Sequence, residues 1–462
     1  MTDPDAIVIG AGPAGEVAAG RLADAGLKTV LVERHLVGGE CSYYACMPSK
    51  ALLRAPELLA EVERVPGAAE AVGGELDVAS LLARRDEVIH DLDDSEQVPW
   101  LESKGITLIR DTARLSGPRQ VEVGNRTLRA SKAIVLATGS RAAMPPIDGL
   151  DEVSAWSNRE ITTSHEVPEH LLVLGGGVVG CEMAQAWRAI GSAVTIIEGA
   201  PRLLPPEEPF ASRELAEAFE EAGIDIRCGH QMQSVRRDGE AVVAELEDGS
   251  LVRGSHLLVA VGRTPNSDGL GLETVGLDDG GYVDVDDRMR VEGVTSDNGH
   301  SPWLYAIGDL NGRALLTHMG KYQARIASDC ILGKDGVGAA RADLAGSPRV
   351  VFTDPQVAAV GLTVAKAEEK GIDVETVEVT TSGNAGASFY GRGTPGTSQL
   401  VIDSERRVIV GATFVGFETA ELIHAATIAV TAEISLETLA HAPPSFPTRS
   451  EIWLKMFDKL GI

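Results

Sequence analysis

The chain has 462 residues, too many for one hydrophobic core, and at about 150 residues per domain this length predicts about three domains. Its contents of 44% hydrophobic and 24% charged residues are those of an ordinary globular protein, which excludes a disordered or membrane-embedded chain. The 41 basic and 68 acidic residues give a net charge of −27, which would repel nucleic acids and anionic membrane surfaces.

No run of about 18 uncharged apolar residues is present, and the N-terminal residues pass into a predicted strand without a preceding basic region. We therefore expect a cytoplasmic protein with no membrane or nucleic-acid partner. In a reducing compartment, a close pair of cysteines indicates catalysis or metal binding. Cys181, Cys228 and Cys330 lie far apart in the sequence, so we expect them to be buried filling residues and expect no metal site.

The first recognisable unit is a strand, a glycine loop, a helix and a second strand. The apolar residues 6–9 lead into Gly10, Gly12 and Gly15, a helical stretch runs to Leu27, and the apolar residues 29–32 end at Glu33. Such glycines let the backbone approach a pyrophosphate at the N-terminus of the helix, and the carboxylate accepts hydrogen bonds from ribose hydroxyls. This order predicts a dinucleotide-binding βαβ unit.

Two cysteines, Cys41 and Cys46, follow this unit and precede Pro48-Ser49-Lys50. In a regular helix, residues five apart are separated by about 7.5 Å of rise alone, beyond the limit of roughly 7 Å between the Cα atoms of a disulfide. A redox disulfide here therefore requires irregular backbone between the cysteines. Pro48 suits the first turn of a helix, where the dipole would favour a thiolate. The alternative is that the two cysteines only pack in the core.

Further along the chain, residues 56–96 have a polar, helical pattern with breaks at Pro66 and at Gly73-Gly74. Short alternating segments from 106 to 130 predict a small antiparallel sheet. Residues 132–137 form another predicted buried strand, which ends in Thr138-Gly139-Ser140. The prolines at 145 and 146 indicate a crossing between domains.

The βαβ pattern then recurs. Residues 171–174 lead into Gly175, Gly177 and Gly180, and residues 193–197 end at Glu198. The distance from first glycine to acid is 33 − 10 = 23 in the first unit and 198 − 175 = 23 in the second. Two such units predict two dinucleotides. Because a carboxylate repels a 2′-phosphate, Glu198 favours NAD over NADP, although Arg202 nearby leaves NADP as the less favoured alternative.

After the second unit, predicted strands at 241–246 and 251–261 lead to Gly262-Arg263-Thr264-Pro265-Asn266. A strand at 303–307 is stopped by Gly308-Asp309. Beyond about residue 348, strands at 399–403 and 408–415 and a helix at 418–432 carry no nucleotide motif. This segment is therefore predicted to be a separate domain.

Taken in order, these motifs resemble those of the FAD-dependent pyridine nucleotide-disulfide oxidoreductases, the family of dihydrolipoamide dehydrogenase, glutathione reductase and mercuric ion reductase. The resemblance runs essentially end to end. It implies an α/β enzyme with two Rossmann-like dinucleotide-binding domains and an α+β C-terminal interface domain. The implied segments are an FAD-binding domain at 1–150, an NAD(P)-binding domain at 151–275, a return segment completing the FAD domain at 276–345, and an interface domain at 346–462 that forms a homodimer.

The resemblance also implies roles for individual residues. The residues expected at FAD are Gly10, Gly12, Gly15, Glu33, Lys50, Thr138, Gly139, Gly308 and Asp309. Those expected at NAD are Gly175, Gly177, Gly180, Glu198 and Gly262. Cys46 would face the flavin as the charge-transfer thiol, and Cys41 would exchange with the substrate. Lys50 would pair with Glu182, since either charge buried alone would be costly.

The chain departs from the family near its C-terminus. The disulfide reductases carry His-Pro followed by a Glu, whereas this chain reads Phe446-Pro447-Thr448-Arg449-Ser450-Glu451. Glu451 remains a predicted catalytic residue, but a phenyl ring cannot exchange a proton with Cys41. Lost acid–base help typically costs 10²–10⁴-fold in rate. His441 lies five residues earlier, and two intervening prolines make it a poor substitute.

A second departure lies between the two cysteines, where Ser42-Tyr43-Tyr44-Ala45 replaces the family's small aliphatic and Asn side chains. One interpretation is that the tyrosines pack against neighbouring helices. The other is an aromatic surface on which a flat electron acceptor stacks.

Three functional hypotheses follow. The first is an NADH-dependent flavoprotein reductase with a small-molecule acceptor such as a quinone, another aromatic oxidant or a metal ion; the lack of a C-terminal cysteine pair argues against mercury. The second is a disulfide reductase that works without the usual histidine. The third, a non-catalytic flavoprotein, is disfavoured because Lys50, Glu182 and Glu198 are all retained.

Overall fold

The structure is a computed structural model that describes residues 3–294, 302–334, 339–394 and 396–462. Its contacts divide the chain into two compact units. Unit 1 contains the residues up to Pro48 together with Asp86–Arg141 and Arg263–Leu344. Unit 2 contains Ser49–Arg85, Ala142–Gly262 and Ala345–Ile462. The division into four segments that the family resemblance implies remains a prediction.

The helices and strands alternate along most of the chain. The first part contains β1 (Ala6–Ile9), α1 (Pro13–Asp24), β2 (Thr29–Glu33), α2 (Gly39–Tyr43), α3 (Cys46–Arg64), α4 (Val78–Val88), α5 (Val98–Ser103), β3 (Thr107–Arg110), β4 (Ala113–Gly117), β5 (Gln120–Val123), β6 (Arg126–Arg129), β7 (Ala133–Leu136) and β8 (Ser140–Ala142). The second part contains α6 (Asn158–Thr163), β9 (His170–Leu174), α7 (Val178–Ala189), β10 (Ala193–Glu198), α8 (Pro209–Glu221), β11 (Asp225–Cys228), β12 (Met232–Asp238), β13 (Ala241–Leu246), β14 (Leu251–Gly254), β15 (His256–Val259) and β16 (Arg263–Pro265). The last part contains β17 (Leu304–Ala306), α9 (Thr317–Ile331), β18 (Arg349–Val351), β19 (Gln356–Gly361), α10 (Val364–Glu369), β20 (Val374–Thr380), β21 (Thr397–Asp403), β22 (Val408–Gly416), α11 (Thr419–Thr431), α12 (Leu436–Leu439) and α13 (Ile452–Leu460).

Unit 1 is built around a parallel sheet with strand order β17-β7-β1-β2-β3. Successive side chains of a strand face opposite sides of the sheet. Val8 of β1 therefore belongs to an apolar cluster with α1 and α9, whereas Ile7 belongs to a cluster with the antiparallel sheet β4-β5-β6. The predicted antiparallel sheet is present but starts later than expected, because Thr107–Arg110 pairs in parallel with β2.

Unit 2 repeats this arrangement around a parallel sheet with strand order β15-β9-β10-β11. Val173 of β9 packs with α7 and α8, and its neighbour Leu172 packs with the antiparallel sheet β12-β13-β14. The single strand predicted at 251–261 is in fact two strands in different sheets, because the chain leaves β14 at Gly254 and joins β9 from His256 on. Two modules with one design account for the repeated sequence pattern.

The C-terminal part of unit 2 is an antiparallel sheet with strand order β18-β19-β22-β21-β20. Its buried side is covered by α11 and α13, with Phe414, Trp453 and Met456 in the core. The strands and the helix predicted here are all present. The chain is thus a mixed α/β protein with two sheets of parallel strands and a C-terminal α+β part, as the sequence predicted.

Two smaller expectations concern helices. The break predicted at Pro66 follows the end of α3 at Arg64, but α3 itself begins at Cys46 and continues through Pro56. Within the described residues, no helix combines the length and the apolar character needed to cross a bilayer.

Candidate active site

The two cysteines of unit 1 lie on either side of a break between helices. Cys41 belongs to α2, which ends at Tyr43, and Tyr44 leaves the helical conformation with φ −134° and ψ 3°. The next helix, α3, begins at Cys46 and has Pro48 in its first turn. The irregular backbone that a Cys41–Cys46 bridge requires is therefore present, and Cys46 lies at a helix N-terminus as expected.

The thiols of Cys41 and Cys46 are free and are hydrogen-bonded to each other. This hydrogen bond, burial and the negative charge of Cys46 raise the pKa of Cys41, while Thr317 and Lys321 act in the opposite direction. Thr317 Oγ1, in the first turn of α9, lies 3.4 Å from Cys46 Sγ. The Cys41 thiol therefore keeps its proton more strongly than an ordinary thiol, and Cys46 lies at the N-terminus of α3.

The first glycine loop joins β1 to α1 with very little space. A Cβ atom on Gly10 would lie 2.3 Å from the carbonyl oxygen of Ala137, and one on Gly15 would lie 1.9 Å from that of Gly10. Gly10 also has φ +101°, which favours glycine. In contrast, a Cβ atom on Gly12 would meet no atom within 4 Å. The N-terminus of α1 is thus open at Gly12, as pyrophosphate binding requires.

The second glycine loop, in unit 2, has the same geometry. Gly175 has φ +111°, and its Cβ atom would lie 2.5 Å from the carbonyl oxygen of Ala260. Gly180 would place its Cβ atom 1.9 Å from Gly175 O, whereas one on Gly177 would meet nothing within 4 Å. The two loops therefore share close packing at the outer glycines and an open middle glycine.

The two acids that follow these loops are also held alike. Glu33 accepts hydrogen bonds of 2.7 Å from the backbone N–H groups of Ala11 and His35. Glu198 accepts hydrogen bonds of 2.6 Å and 2.7 Å from Gly176 N–H and Ala200 N–H. Each carboxylate oxygen accepts one backbone N–H and keeps further lone-pair capacity for a ribose hydroxyl.

Arg202, which left room for NADP, is engaged elsewhere. Its guanidinium donates to Ser212 Oγ at 2.5 Å and to Pro205 O at 2.7 Å. These hydrogen bonds hold the guanidinium against the chain that leads into α8.

Unit 1 brings together motif residues that are far apart in the sequence. Ser140 Oγ donates to Asp309 Oδ2 at 2.5 Å, and Arg263 Nε donates to Ser140 Oγ at 2.6 Å. Thr138 Oγ1 donates to Asn266 O at 2.8 Å. The backbone of Gly139 accepts from Asn266 N–H at 2.9 Å. The sequence predicted roles for Thr138, Gly139 and Asp309, but nothing in it indicated that Arg263 would reach them through Ser140.

Two further glycines predicted at the cofactors have positive φ angles, which glycine adopts readily. Gly308 has φ +71° and donates its N–H to Gln323 Oε1 at 2.8 Å. Gly262 has φ +138°, with no atom within 4 Å of an added Cβ.

Lys50 and Glu182, predicted to pair, form an ion pair of 2.7 Å. The Glu182 side chain is only 3% exposed. Its other oxygen accepts the backbone N–H of Phe352 at 3.0 Å, and Lys50 Nζ lies 4.6 Å from the centre of the Phe352 ring. Phe352 was missed in the sequence because it belongs to no nucleotide motif. Its contribution depends on a contact between residues 170 positions apart.

The C-terminal segment places Phe446 and Glu451 in different environments. Phe446 is 77% exposed, while Glu451 is 8% exposed and accepts the Gly386 N–H at 3.3 Å. A Cβ atom on Gly386 would lie 2.0 Å from the carbonyl carbon of Thr448, so this glycine permits the close packing. His441, the suggested substitute base, is exposed.

The tyrosines between the cysteines do not form an exposed aromatic surface. Tyr43 is 2% and Tyr44 8% exposed, and both pack against Ile89. Tyr44 also stacks on His35, with 5.7 Å between ring centres, and the Tyr44 hydroxyl lies 3.0 Å from His35 Nε2. The packing interpretation is therefore correct and the alternative of a stacking surface is wrong.

The remaining cysteines match their prediction in part. Cys181 is fully buried, and its thiol donates to Gly176 O at 3.3 Å. Burial raises the pKa of the Cys181 thiol. Cys228 and Cys330 are only partly buried, so they are not simple core residues. Among the described residues, no group of three or more His, Cys, Asp or Glu side chains is placed to hold a metal ion.

Comparison with known proteins accounts for this combination of two glycine loops and a dithiol. Residues 4–324 match the family described as pyridine nucleotide-disulphide oxidoreductase, and residues 347–457 match its dimerisation domain. The chain belongs to this family. Its members use FAD and NAD(P)H, so the chain is a flavin-dependent, NAD(P)H-linked oxidoreductase.

Individual relatives cover nearly the whole chain. A dihydrolipoyl dehydrogenase from Thermus scotoductus is 34% identical over 98% of this chain and 96% of its own length. A mercuric reductase from Streptomyces lividans is 33% identical over 97% and 94%. Among solved structures, the HOCl-induced flavoprotein disulfide reductase RclA from Escherichia coli is 26% identical with a TM-score of 0.85, covering 98% of this chain and 99% of that chain.

The side chains and backbone fit the cofactors of the family. The open middle glycines Gly12 and Gly177 leave room for a pyrophosphate at the N-termini of α1 and α7. Glu33 and Glu198 retain acceptor capacity at the ends of β2 and β10, where a ribose would lie.

Proposed function

We propose that the chain is an NADH-dependent flavoprotein reductase that passes electrons through FAD and the Cys41–Cys46 pair to a small acceptor such as a quinone. The observation that carries this proposal is Phe446, an exposed phenyl ring where disulfide reductases need a proton donor and acceptor. The engagement of Glu451 with Gly386 N–H supports the same view, because this carboxylate already has a structural partner.

The roles of the chain's own residues follow from their contacts. Bound FAD would accept hydride from NADH and supply two electrons to the Cys41–Cys46 disulfide. Lys50, paired with Glu182, would keep a positive charge near the start of α3. Cys46 would carry the thiolate and Cys41 the proton.

Such a dithiol can reduce a quinone without a protein base. The monoanion of Cys41 and Cys46 together with one proton from solvent converts a quinone to its hydroquinone and re-forms the disulfide. The sulfur atoms lose two electrons, and the quinone gains two electrons and two protons. A disulfide substrate, in contrast, leaves a thiolate that needs a proton at the protein surface.

We further propose NADH rather than NADPH as the donor, and a homodimer as the assembly. Glu198 would repel a 2′-phosphate, and the hydrogen bonds of Arg202 draw its guanidinium away from such a group. Phe446 and Phe389, 77% and 66% exposed, are the most exposed large apolar side chains among the described residues. Both lie in the segment that matches the dimerisation domain, which supports a covering partner subunit.

The test is an anaerobic NADH titration of the purified holoenzyme followed by absorbance, together with turnover assays on quinones and disulfides. We expect four electrons per subunit, a long-wavelength charge-transfer band and quinone turnover. Uptake of two electrons without that band would show that the dithiol does not cycle. Reduction of lipoamide or glutathione disulfide by NADH at ordinary family rates, with quinones left unreduced, would overturn the proposal.

A second candidate is a disulfide reductase acting on an unidentified disulfide. The hydrogen-bonded thiols of Cys41 and Cys46 favour it, since this pair is what thiol–disulfide exchange requires. Replacing Cys41→Ser should then abolish turnover of the disulfide, and unchanged turnover would exclude this function.

A further inference from the structure

The ion pair between Lys50 and Glu182 is held by a residue of the C-terminal domain. Phe352 lies in the short connection between β18 and β19, inside the segment 347–457 that matches the dimerisation domain. Its backbone N–H donates to Glu182 Oε1 at 3.0 Å, while Glu182 Oε2 accepts from Lys50 Nζ at 2.7 Å. The centre of its ring lies 4.6 Å from Lys50 Nζ. Phe352 therefore contacts both members of the pair, one through its backbone and the other through its ring.

These contacts fix the orientation of the Glu182 carboxylate. The side chain is only 3% exposed, so an unpaired charge there would be costly. One carboxylate oxygen accepts the backbone N–H of Phe352, which leaves the other oxygen to accept from the ammonium of Lys50. Because the N–H donor belongs to the backbone, it holds Glu182 in the orientation that binds Lys50.

A second hydrogen bond connects the same segment to α7. Asp354 N–H donates to Gln185 Oε1 at 2.8 Å. Gln185 follows Glu182 by three positions, so both side chains lie on the same face of this helix. The connection between β18 and β19 thus runs along this face and donates one backbone N–H to each of the two side chains. The position of Phe352 is therefore fixed relative to Glu182.

The ammonium of Lys50 is more exposed than its partner. The Lys50 side chain is 35% exposed, and Nζ donates to Glu182 Oε2 and, at 3.2 Å, to Ser49 Oγ. An ion pair with one such exposed member is held only weakly by its own attraction. The ring of Phe352 lies at a distance typical of a cation–π interaction with Nζ. The ring therefore adds attraction to the ammonium without offering a competing hydrogen-bond acceptor.

We infer that Phe352 is a positioning residue for the reduction of FAD by NADH, which acts by holding Lys50 in place. In this reduction a hydride passes from NADH to bound FAD, so that NADH is oxidised to NAD⁺ and the flavin gains two electrons. A positive charge near the flavin favours its reduced, negatively charged form. This role rests on the proposed place of Lys50 at FAD, and it gives the dimerisation domain a part in electron transfer.

The first experiment measures flavin reduction in the absence of an electron acceptor. Phe352→Leu keeps the backbone N–H and an apolar side chain but removes the ring. When the holoenzyme is mixed anaerobically with saturating NADH in a stopped-flow instrument, this variant should reduce its flavin about three- to tenfold more slowly, the factor expected for the loss of one cation–π interaction. Its flavin midpoint potential, measured by spectroelectrochemical titration, should be more negative than that of wild type. Phe352→Tyr, which keeps a ring, should retain both wild-type values.

Further variants separate positioning from a structural role. Phe417→Leu removes a ring that lies against Arg64 in unit 2, and it should change neither the reduction rate nor the potential. Lys50→Met should change both. In the Lys50→Met background, Phe352→Leu should have no further effect, because no ammonium remains for the ring to hold.

Three results would contradict this role of Phe352. The first is an unchanged reduction rate and potential in Phe352→Leu, whether or not its melting midpoint falls. If Lys50→Met then still changes these values, the proposed place of Lys50 stands and only the role of Phe352 is wrong. The second is a loss of the wild-type values in Phe352→Tyr, and the third is an equal effect of Phe352→Leu with and without Lys50.

The choice of acceptor in the proposed function does not affect these measurements, because no acceptor is present. The single variants at Phe352 decide the question even if Lys50→Met fails to fold or to bind FAD.

Discussion

By the sequence resemblance, Phe446 occupies the position of the histidine that disulfide reductases of this family carry. Glu451, which follows five positions later, accepts a backbone hydrogen bond from Gly386 and is 8% exposed. In unit 1, the hydrogen bond to Cys46 and burial raise the pKa of the Cys41 thiol. Our proposal of a quinone-type acceptor therefore depends on single residues: Phe446 cannot transfer protons to and from a disulfide substrate.

Restoring that side chain is the direct test. Phe446→His should raise kcat/KM for a disulfide substrate such as lipoamide by about 10²-fold, the low end of what acid–base catalysis contributes. The measurement is steady-state kinetics of lipoamide-linked turnover with NADH or NAD. Phe389→His is the matched control, since Phe389 is also an exposed phenylalanine of the same domain and should show no gain. Equal rates in wild type and Phe446→His would show that the missing base does not limit this reaction.

At the scale of elements, the two glycine loops separate packing from binding. In each loop, a Cβ atom added to the first or the last glycine would clash with backbone atoms, whereas one added to the middle glycine would meet no atom within 4 Å. Because Gly177 has φ −81°, an alanine there is compatible with the backbone, whereas one at Gly180 is not compatible with the Gly175 carbonyl. A pair of alanine substitutions three positions apart should therefore have opposite effects.

Gly177→Ala should keep the melting midpoint within about 2 °C and raise KM for NADH by about tenfold, since its methyl group would occupy the space for a pyrophosphate. Gly180→Ala should lower the midpoint by about 5 °C or more, because α7 must move away from β9. Differential scanning calorimetry and NADH kinetics on the same preparations measure both effects. A stable Gly180→Ala protein, or a Gly177→Ala protein with unchanged KM, would contradict the assigned roles.

Glu16, in the first turn of α1, has a raised side-chain pKa. Burial, reinforced by the charge of Glu33 and opposed by Lys321, raises the pKa of Glu16 from 4.5 to about 7. The N-terminal end of a helix dipole favours an ionised Glu16, but desolvation acts against it. In the unfolded chain this carboxyl ionises near its ordinary value, so between these two pH values the folded state binds more protons.

Stability from Glu16 is therefore fully present below about pH 4.5 and is lost as the pH rises through about 7. Glu16→Gln, which cannot ionise, should increase the free energy of unfolding by about 1–3 kcal/mol more at about pH 8 than at about pH 5. Urea unfolding of the holoenzyme at both pH values measures the difference. Glu102→Gln, at an exposed position of α5, should show no such dependence. A pH-independent effect of Glu16→Gln would refute the raised pKa.

At the scale of the whole molecule, the same arrangement of sheets and helices occurs in both units. Each unit contains a parallel sheet with helices on one face and a three-stranded antiparallel sheet on the other. The matching spacings from glycine to acid in the sequence reflect this repetition.

In unit 2 the C-terminal sheet is joined to the second βαβ module by buried charges. Arg349 binds Glu207 at 2.6 Å, and Glu208 accepts Val364 N–H at 2.7 Å. These carboxylates follow β10, so the nucleotide module and the dimerisation domain of this unit are directly connected.

The sequence by itself determined the features that depend on neighbouring residues of the chain. The periodicity of apolar residues, the glycine spacing and the terminal acids locate both βαβ modules almost to the residue, because these features depend on neighbouring positions in the chain. The break between Cys41 and Cys46 also followed from local geometry. The family and its cofactors followed from the order of these motifs, which the matches over residues 4–324 and 347–457 confirm.

The tertiary structure decided what depends on distant contacts. It placed Thr317 beside Cys46, Arg263 beside Ser140 and the Phe352 N–H on Glu182, pairs separated by more than a hundred residues. It also buried Tyr43 and Tyr44, whose aromatic character alone is compatible with either packing or stacking. Which distant residues come into contact depends on how the strands and helices pack. The spacing of residues within a short stretch of sequence carries no information about that packing. Local motifs therefore identified the chemistry of this chain, and packing alone determined which side chains surround its thiols.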